Sequence, residues 1–197
     1  MGSALNDEWD IGSANVGDRS IAIGFGDSAF PLAGGGGGPI ASGEGSIAFG
    51  YAVNASGIFS TAIGFAAQAT GLSAIAIGNG TASAQGAVSI GFGNGATAQG
   101  INSFASGFES FAMGDDSVAF QNGVAEGDGS ISFQAAPAYS LYEVSFGNGP
   151  TSYVGDTTGY VATDRLFNIG NDFAAAGGTD EIGVHEAGGR SEERRVG

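Results

Sequence analysis

The sequence contains no cysteine and no lysine among its 197 residues. Without a thiol the chain forms neither a disulfide nor a thiolate metal site, and cysteine catalysis is excluded. Five basic residues stand against 20 acidic ones, so the formal net charge is −15. These few cations cannot neutralise a run of phosphates or hold the chain on an anionic membrane, so nucleic acid is excluded as a partner.

Long apolar runs are also missing, so the sequence predicts no transmembrane helix and no membrane insertion. The segment from Met1 to Phe30 lacks the basic and apolar regions of a secretory signal. We therefore expect neither a signal peptide nor a membrane anchor in this chain. Disorder is excluded as well, because 42% of the residues are hydrophobic and 14 are phenylalanine.

What the sequence does contain is a repeat of five positions: Ser or Ala, an apolar residue, Ala or Ser, an apolar residue, and Gly. The copies begin at residues 20, 46, 60, 74, 87, 103, 117, 130 and 143. From Gly50 to Gln134 their fifth positions are spaced by 14, 14, 13, 16, 14 and 13. Weaker motifs such as Asn54-Ala55-Ser56-Gly57 lie midway between them. Each period therefore predicts two short strands, each ended by a turn, in a stack of parallel coils.

Alternation within the repeat separates large from small side chains. Because residues two apart in a strand share a face, Ile47 and Phe49 point one way and Ala48 the other. We interpret the large apolar pairs as the narrow core of a flattened coil. The alanine-rich side then becomes an uncharged flank that self-association would bury, and in a three-fold bundle every chain would contribute the same face, so the sequence predicts an obligate oligomer. A monomer with one hydrophobic side is the alternative.

The strings SIAFGYAVNASG, STAIGFAAQATG and AIAIGNGTASAQG resemble the head repeats of trimeric autotransporter adhesins, the YadA-like head. The resemblance extends over about residues 11 to 147. It implies an all-β fold: a left-handed parallel β-roll solenoid with coils of about 14 residues, homotrimeric about its long axis. It also implies that the protein is not an enzyme and needs no cofactor.

A second likeness lies further along the chain. Residues 144–148 and 164–170 are similar to the neck that closes such heads. The resemblance implies that Arg165 and Asn168 lie where neck residues clasp adjacent subunits.

The expected organisation has three parts. Residues 1–147 form the β-roll head, with a Gly-rich loop insertion at about 26–42. Residues 148–189 form an irregular, neck-like or tip segment, and residues 190–197 form a flexible tail.

Two segments that break the period are candidate receptor contacts. Pro31 and Leu32 lie in the insertion, and Tyr153 and Tyr160 lie after the last repeat. For the insertion, a tolerated surface loop without function is the favoured alternative.

Candidate chemical sites are weak. His185 is the single histidine, and although Glu181 and Glu186 flank it, no nucleophile motif accompanies it, so no catalytic residue is predicted. Four carboxylates fall at turns one period apart and are weak candidates for calcium binding, with solvated turn carboxylates as the preferred interpretation. They are Asp115, Asp116, Glu126 and Asp128. No metal site is predicted.

The expected function is attachment without chemistry, by a homotrimer exposed on a bacterial surface or on a virion as a tail fibre or spike. Its expected partners are a surface receptor, a glycan, a matrix protein or other virion proteins. A structural or decoration protein of a virion or an extracellular filament is the alternative. An enzyme is the rival class, and ice binding is disfavoured because the threonines of the coils do not share one position.

Overall fold

The computed structural model describes residues 16–25, 38–79, 82–148, 155–161, 164–171 and 182–185. Over these ranges every regular element is a β-strand, so the described part of the chain has no helix that could cross a membrane. The chain divides into two compact units, Met1–Ala98 (unit 1) and Gln99–Gly197 (unit 2).

Unit 1 contains two parallel sheets whose strands alternate along the chain. The long-strand sheet has the order β1-β2-β4-β6-β8, and the short-strand sheet contains β3, β5, β7 and β9 in spatial succession. The long strands are β1 (Ile21–Phe25), β2 (Ile47–Tyr51), β4 (Thr61–Phe65), β6 (Ile75–Asn79) and β8 (Ile90–Gly93), and the short strands are β3 (Asn54–Ala55), β5 (Gln68–Ala69), β7 (Ser83–Ala84) and β9 (Thr97–Ala98). Each residue stacks on its counterpart one coil away, as Ala48 does on Ala62.

Unit 2 repeats this plan. Its long-strand sheet has the order β10-β12-β14-β15-β16-β17, and its short strands β11 and β13 pair in parallel. The strands are β10 (Phe104–Ser106), β11 (Phe111–Ala112), β12 (Val118–Phe120), β13 (Val124–Ala125), β14 (Ile131–Phe133), β15 (Val144–Asn148), β16 (Arg165–Asn171) and β17 (Ile182–His185). Pairing is parallel up to β16 and antiparallel between β16 and β17. The predicted parallel β-solenoid with coils of about 14 residues is therefore confirmed.

One predicted copy of the repeat, at residues 87–91, lies two positions before the strand motif that the structure shows. The pairing of β6 with β8 sets Ile75 opposite Ile90 and Gly78 opposite Gly93. The motif therefore runs from Ser89 to Gly93. The coil between Gly78 and Gly93 is two residues longer than the spacing of 13 that the sequence predicts for it. Val88 resembles a strand residue in the sequence, but it lies in the preceding turn with a φ of 57°.

The predicted inside and outside of the coil are reversed. Ala48, Ala62 and Ala76 are fully buried, whereas Phe49 is 52% exposed. The interior is narrow: even a methyl group added at Gly91 would lie 2.6 Å from the carbonyl oxygen of Ser83 in the opposite sheet, and Val53 is the largest apolar side chain that is fully buried in the described coils. Alanine, serine and glycine therefore fill the coil, and the large apolar side chains project outward.

Glycine is required where coils stack most closely. Gly64 has a φ of +124°, and a methyl group added to it would lie 1.9 Å from the carbonyl oxygen of Gly78. Any side chain at this position would push the two coils apart.

The predicted insertion interrupts the sequence without interrupting the sheet. β1 pairs with β2 in register, with Gly24 opposite Gly50. The isolated bridge between Val16 and Ala41 continues the short-strand side across the same coil. Residues 26–37, which make up most of the insertion, and the predicted tail at 190–197 lie outside the described residues.

Candidate functional site

The outward face of the long-strand sheet is apolar and exposed. In unit 1 it presents five large side chains, each at least two-fifths exposed: Ile21, Ile47, Phe49, Phe65 and Phe92. Tyr51 stacks on Phe65 with ring centroids 5.1 Å apart. We call the outward face of the long-strand sheet, with these side chains and Tyr51, the apolar sheet face. Uncharged surfaces of this extent on soluble proteins usually mark an interaction site.

In unit 2 the same face is a ladder of aromatic rings. Phe120 stacks on Phe133 at 5.0 Å, and Phe133 stacks on Phe146 at 4.6 Å with nearly parallel planes. The in-register pairing of β12, β14 and β15 aligns these rings. Each ring is half-buried, so part of every ring remains available for contact.

A second surface is formed by the stacked turns that precede the long strands. Each turn has four positions, and the N–H of the fourth donates to the carbonyl of the first, as from Ser60 to Gly57 at 3.1 Å. The third residue has a positive φ, 57° at Phe59, and the second does not, which defines a type II turn. The N–H of the third residue also donates to the carbonyl of the second residue one coil earlier, as from Phe59 to Glu44 at 2.8 Å. We call this stack the turn edge.

In unit 2 the turn edge carries three of the four candidate calcium ligands. Asp115 Oδ1 accepts the N–H of Ile101 at 2.7 Å, and Asp128 Oδ1 accepts the N–H of Asp115 at 2.9 Å. Asp116 Oδ1 accepts a hydrogen bond from the side chain of Asn102.

The fourth candidate, Glu126, is half-buried and follows β13 on the short-strand side. No group of three or more histidine, cysteine or carboxylate side chains in the described ranges is arranged to hold a metal ion. The three aspartates instead supply acceptors for donors of the turn edge.

A buried polar cluster lies at the C-terminal end of the parallel sheet. Arg165 Nε lies 3.2 Å from Glu143 Oε1, and both side chains are almost completely buried. Glu143 Oε2 also accepts the N–H groups of Tyr139 at 2.7 Å and Ser140 at 3.0 Å. Asn168 donates from Nδ2 to Ser145 Oγ at 3.1 Å, across the pairing of β15 with β16.

Asp164 is fully buried in the same cluster and accepts three hydrogen bonds. Its Oδ1 accepts from Ser140 Oγ and from the N–H of Asp156, both at 3.0 Å, and its Oδ2 accepts from the N–H of Val161 at 2.8 Å. We call Glu143, Asp164, Arg165 and Asn168 together the polar cap.

Sequence reasoning identified Arg165 and Asn168 but missed Glu143 and Asp164. The available signal was Glu143 itself, which occupies the motif position that holds buried Ser130 one coil earlier. A carboxylate at a buried small-residue position requires a cationic partner. That Arg165 and Asn168 clasp adjacent subunits stays a prediction. Within one chain Arg165 contacts Glu143, the residue before β15, and Asn168 contacts Ser145 in β15.

Residues 155–161 cross the turn edge of unit 2 and are called the strap. The carbonyl oxygen of Thr157 accepts the N–H of Asp128 at 2.7 Å, and that of Asp156 accepts the N–H of Leu141 at 2.9 Å. The Asp156 carboxylate accepts the N–H groups of Gly159 and Thr158, and these bonds lower its pKa below the usual value.

The candidate contact residues are only partly described. Tyr160 lies on the strap and is half-exposed, next to exposed Val161. Pro31, Leu32 and Tyr153 lie outside the described residues, as do Glu181 and Glu186. The backbone of His185 ends β17.

Tyr139 lies beside the polar cap. Burial raises the pKa of its phenol, and the charge of Glu126 raises it further, whereas Arg165 acts in the opposite direction. The hydroxyl therefore stays protonated at neutral pH.

Comparison with known proteins identifies the repeat. The YadA head domain repeat matches residues 40–52, 55–81, 82–110 and 105–133, somewhat less than half of the chain. A search of curated proteins found no match. Heads of this family are surface-exposed homotrimers, and they are typically structural proteins without catalytic activity. The matched segments between residues 40 and 133 are therefore YadA-like head repeats, the repeats of trimeric autotransporter adhesins.

Proposed function

We propose that this chain assembles into a homotrimer that attaches the surface bearing it, of a bacterium or of a virion, to a target without catalysing a reaction. The observation that supports the proposal is the apolar sheet face. In unit 1 it carries no charge, and it leaves Phe49 half-exposed in a single chain. Three copies around one axis turn these faces toward each other and remove them from water.

Attachment then depends on the surfaces that stay exposed to solvent after the trimer has assembled. The strap remains as a contact surface, and it carries the half-exposed side chain of Tyr160. Three copies of each contact act together, so weak single contacts add up to strong attachment. The partners proposed are a surface receptor, a glycan or a matrix protein, with Pro31, Leu32 and Tyr153 as further contact candidates.

An attachment role is favoured over an enzyme because the coil interior is occupied by alanine, serine and glycine. Such side chains supply neither a general acid nor a general base. On a virion the same trimer would serve as a tail fibre or spike, or as a decoration protein.

The proposal is tested first by solution mass. Light scattering at low concentration and high salt should give about three times the chain mass of 19.2 kDa. A mass near 19.2 kDa would refute the trimer.

Attachment is tested separately, with fluorescent beads coated with the trimer and applied to arrays of glycans and matrix proteins. Beads coated with an unrelated trimer of similar charge serve as the control. Retention above this control supports attachment, and a trimer that is retained nowhere would favour the decoration role instead.

A further inference from the structure

The turn edge of unit 1 carries an apolar stripe that faces solvent. Its members are the second and third turn residues of successive coils: Ile58, Phe59, Leu72 and Val88. Phe59 is 60% exposed and Val88 is 53% exposed. Residues 45–98 contain no charged side chain, so nothing in the sequence of these coils gives the stripe an ionic character.

Two of these side chains occupy a backbone conformation that their residue types disfavour. Phe59 and Val88 both have a φ of 57°. A positive φ suits glycine or asparagine and is unusual for aromatic and β-branched residues. Glycine occupies the same turn position at Gly45 and asparagine occupies it at Asn102. Large apolar residues are thus present where smaller or polar ones would form the turn more easily.

The backbone of this edge also offers donors. In each described turn of unit 2, the N–H of the residue at the second position donates to an acceptor. Carboxylates accept those of Ile101 and Asp115, and carbonyls of the strap accept those of Asp128 and Leu141. In the uncharged coils of unit 1, between residues 57 and 89, the corresponding N–H groups have no acceptor among the residues that the structure describes. They belong to Ile58, Leu72 and Ala87.

The strap shows what fits such an edge. Carbonyl oxygens of its two consecutive residues Asp156 and Thr157 accept N–H groups of two consecutive coils. A carboxylate would also satisfy these donors, but the net charge of −15 repels an acidic partner. Carbonyl groups of an uncharged segment accept these N–H groups and add no negative charge that the chain would repel.

We propose that the turn edge of unit 1 binds an uncharged, apolar peptide segment of a partner protein. Successive carbonyls of the segment accept the N–H groups of Ile58, Leu72 and Ala87, and its apolar side chains cover Phe59 and Val88. This inference rests on the proposed attachment function and names one contact surface and one class of partner for it.

The experiment uses the full-length chain and a phage-displayed library of random heptapeptides. The test variant is Leu72→Asp, which removes an apolar side chain and places a carboxylate where Asp115 accepts the N–H of Ile101 in unit 2. The fold already contains this arrangement, so the variant should remain folded. Gln68→Asp is the matched control, because it adds the same charge to an exposed position of the short-strand sheet.

Peptides enriched on the natural chain should be uncharged and apolar. They should bind Leu72→Asp at least tenfold more weakly and Gln68→Asp equally well. Phe59→Asn, which suits the positive φ, should also weaken binding while circular dichroism shows an unchanged fold. The proposal is overturned if no peptide is enriched, if the enriched peptides are acidic, or if Leu72→Asp binds them normally.

Two further measurements separate this inference from the proposed function. If Leu72→Asp changes the solution mass, the edge contacts a second copy of the chain and the peptide proposal is wrong. If the beads attach to no target while peptides bind the edge, the attachment function fails and peptide binding remains. If the beads attach and no peptide binds, the attachment function remains and the peptide-binding proposal fails.

Discussion

At the scale of single residues, the size of a side chain decides which way it points. The coil closes so tightly that alanine and serine are the largest side chains that its interior regularly holds, with Ala62, Ala76 and Ser117 completely buried. Larger apolar residues are forced outward although their burial would be favourable. The usual expectation that isoleucine and phenylalanine form the core therefore fails in this fold.

Replacing Val88 by Asn should raise the free energy of unfolding by about 1 kcal/mol, because a left-handed backbone conformation disfavours a β-branched residue and is tolerated by asparagine. Since Val88 is 53% exposed, little packing is lost. Urea denaturation measures the change. The reverse substitution at the equivalent turn, Asn102→Val, should destabilise the protein, and equal stability of both variants would contradict the argument.

Gly64→Ala should destabilise the protein by more than about 3 kcal/mol, a loss at the upper end for single substitutions. The added methyl group would overlap the carbonyl oxygen of Gly78, which cannot move without breaking the pairing of β4 with β6. Thermal unfolding followed by circular dichroism measures the effect. Gly159→Ala is the control, because its added methyl group would meet no atom closer than 3.2 Å. A small effect at Gly64 would show that neighbouring coils separate easily.

At the scale of elements, the polar cap joins β16 and the strap to the last regular coil. Glu143 immediately precedes β15, and Arg165 begins β16. Their buried ion pair connects two residues that are far apart in the sequence. A buried charge without its partner is strongly unfavourable, so this contact fixes β16 in one position against β15.

Asp164→Ala should release the strap. The substitution leaves three donors without their acceptor, from Ser140, Asp156 and Val161, at about 1–3 kcal/mol for each buried group that stays unpaired. Hydrogen exchange should accelerate at the amides of Asp128 and Leu141, which donate to the strap. Asp116→Ala, at an exposed carboxylate, is the control, and unchanged exchange in Asp164→Ala would show that Asp164 does not hold the strap.

Arg165→Met should lower the free energy of unfolding by about 3–5 kcal/mol, because Glu143 would remain as a buried charge without a cation. The double variant with Glu143→Gln should regain part of this loss. Urea denaturation of both variants measures the coupling. Equal loss in the single and double variants would show that the charge of Glu143 is not what Arg165 compensates.

At the scale of the whole molecule, the two surfaces of the coil have different character. The apolar sheet face is suited to contact between copies of the chain, whereas the short-strand sheet of unit 1 exposes uncharged polar groups such as Gln68. A soluble monomer rarely leaves so many large apolar side chains in water. Association of the sheet faces is the simplest explanation for their exposure.

Phe49→Glu should prevent assembly of the proposed trimer, because assembly would bury a carboxylate from each copy next to the other two. In a single chain Phe49 is 52% exposed, so the coil itself should tolerate the change. Light scattering should then give a mass near 19.2 kDa, whereas Gln68→Glu should keep the mass of the natural chain. A Phe49→Glu variant with an unchanged mass would exclude this face as the interface.

The sequence by itself determined the coil. The regular period of the repeat and its recurring glycines require short strands joined by tight turns, and parallel stacking of Ile47 on Thr61 and of Val144 on Ile131 follows that period. The copy at residues 87–91 was misplaced because Val88 and Ile90 alternate as strand residues do. Only the backbone shows that Val88 belongs to a turn.

The tertiary structure decided which face of the coil is inside and which distant groups meet. A two-residue alternation separates side chains into two sets without showing which set is buried. That choice depends on the distance between the sheets, visible where Gly91 approaches Ser83. The pairing of Glu143 with Arg165 and the three bonds of Asp164 depend on where the chain returns after β15, and the local sequence pattern does not specify that path.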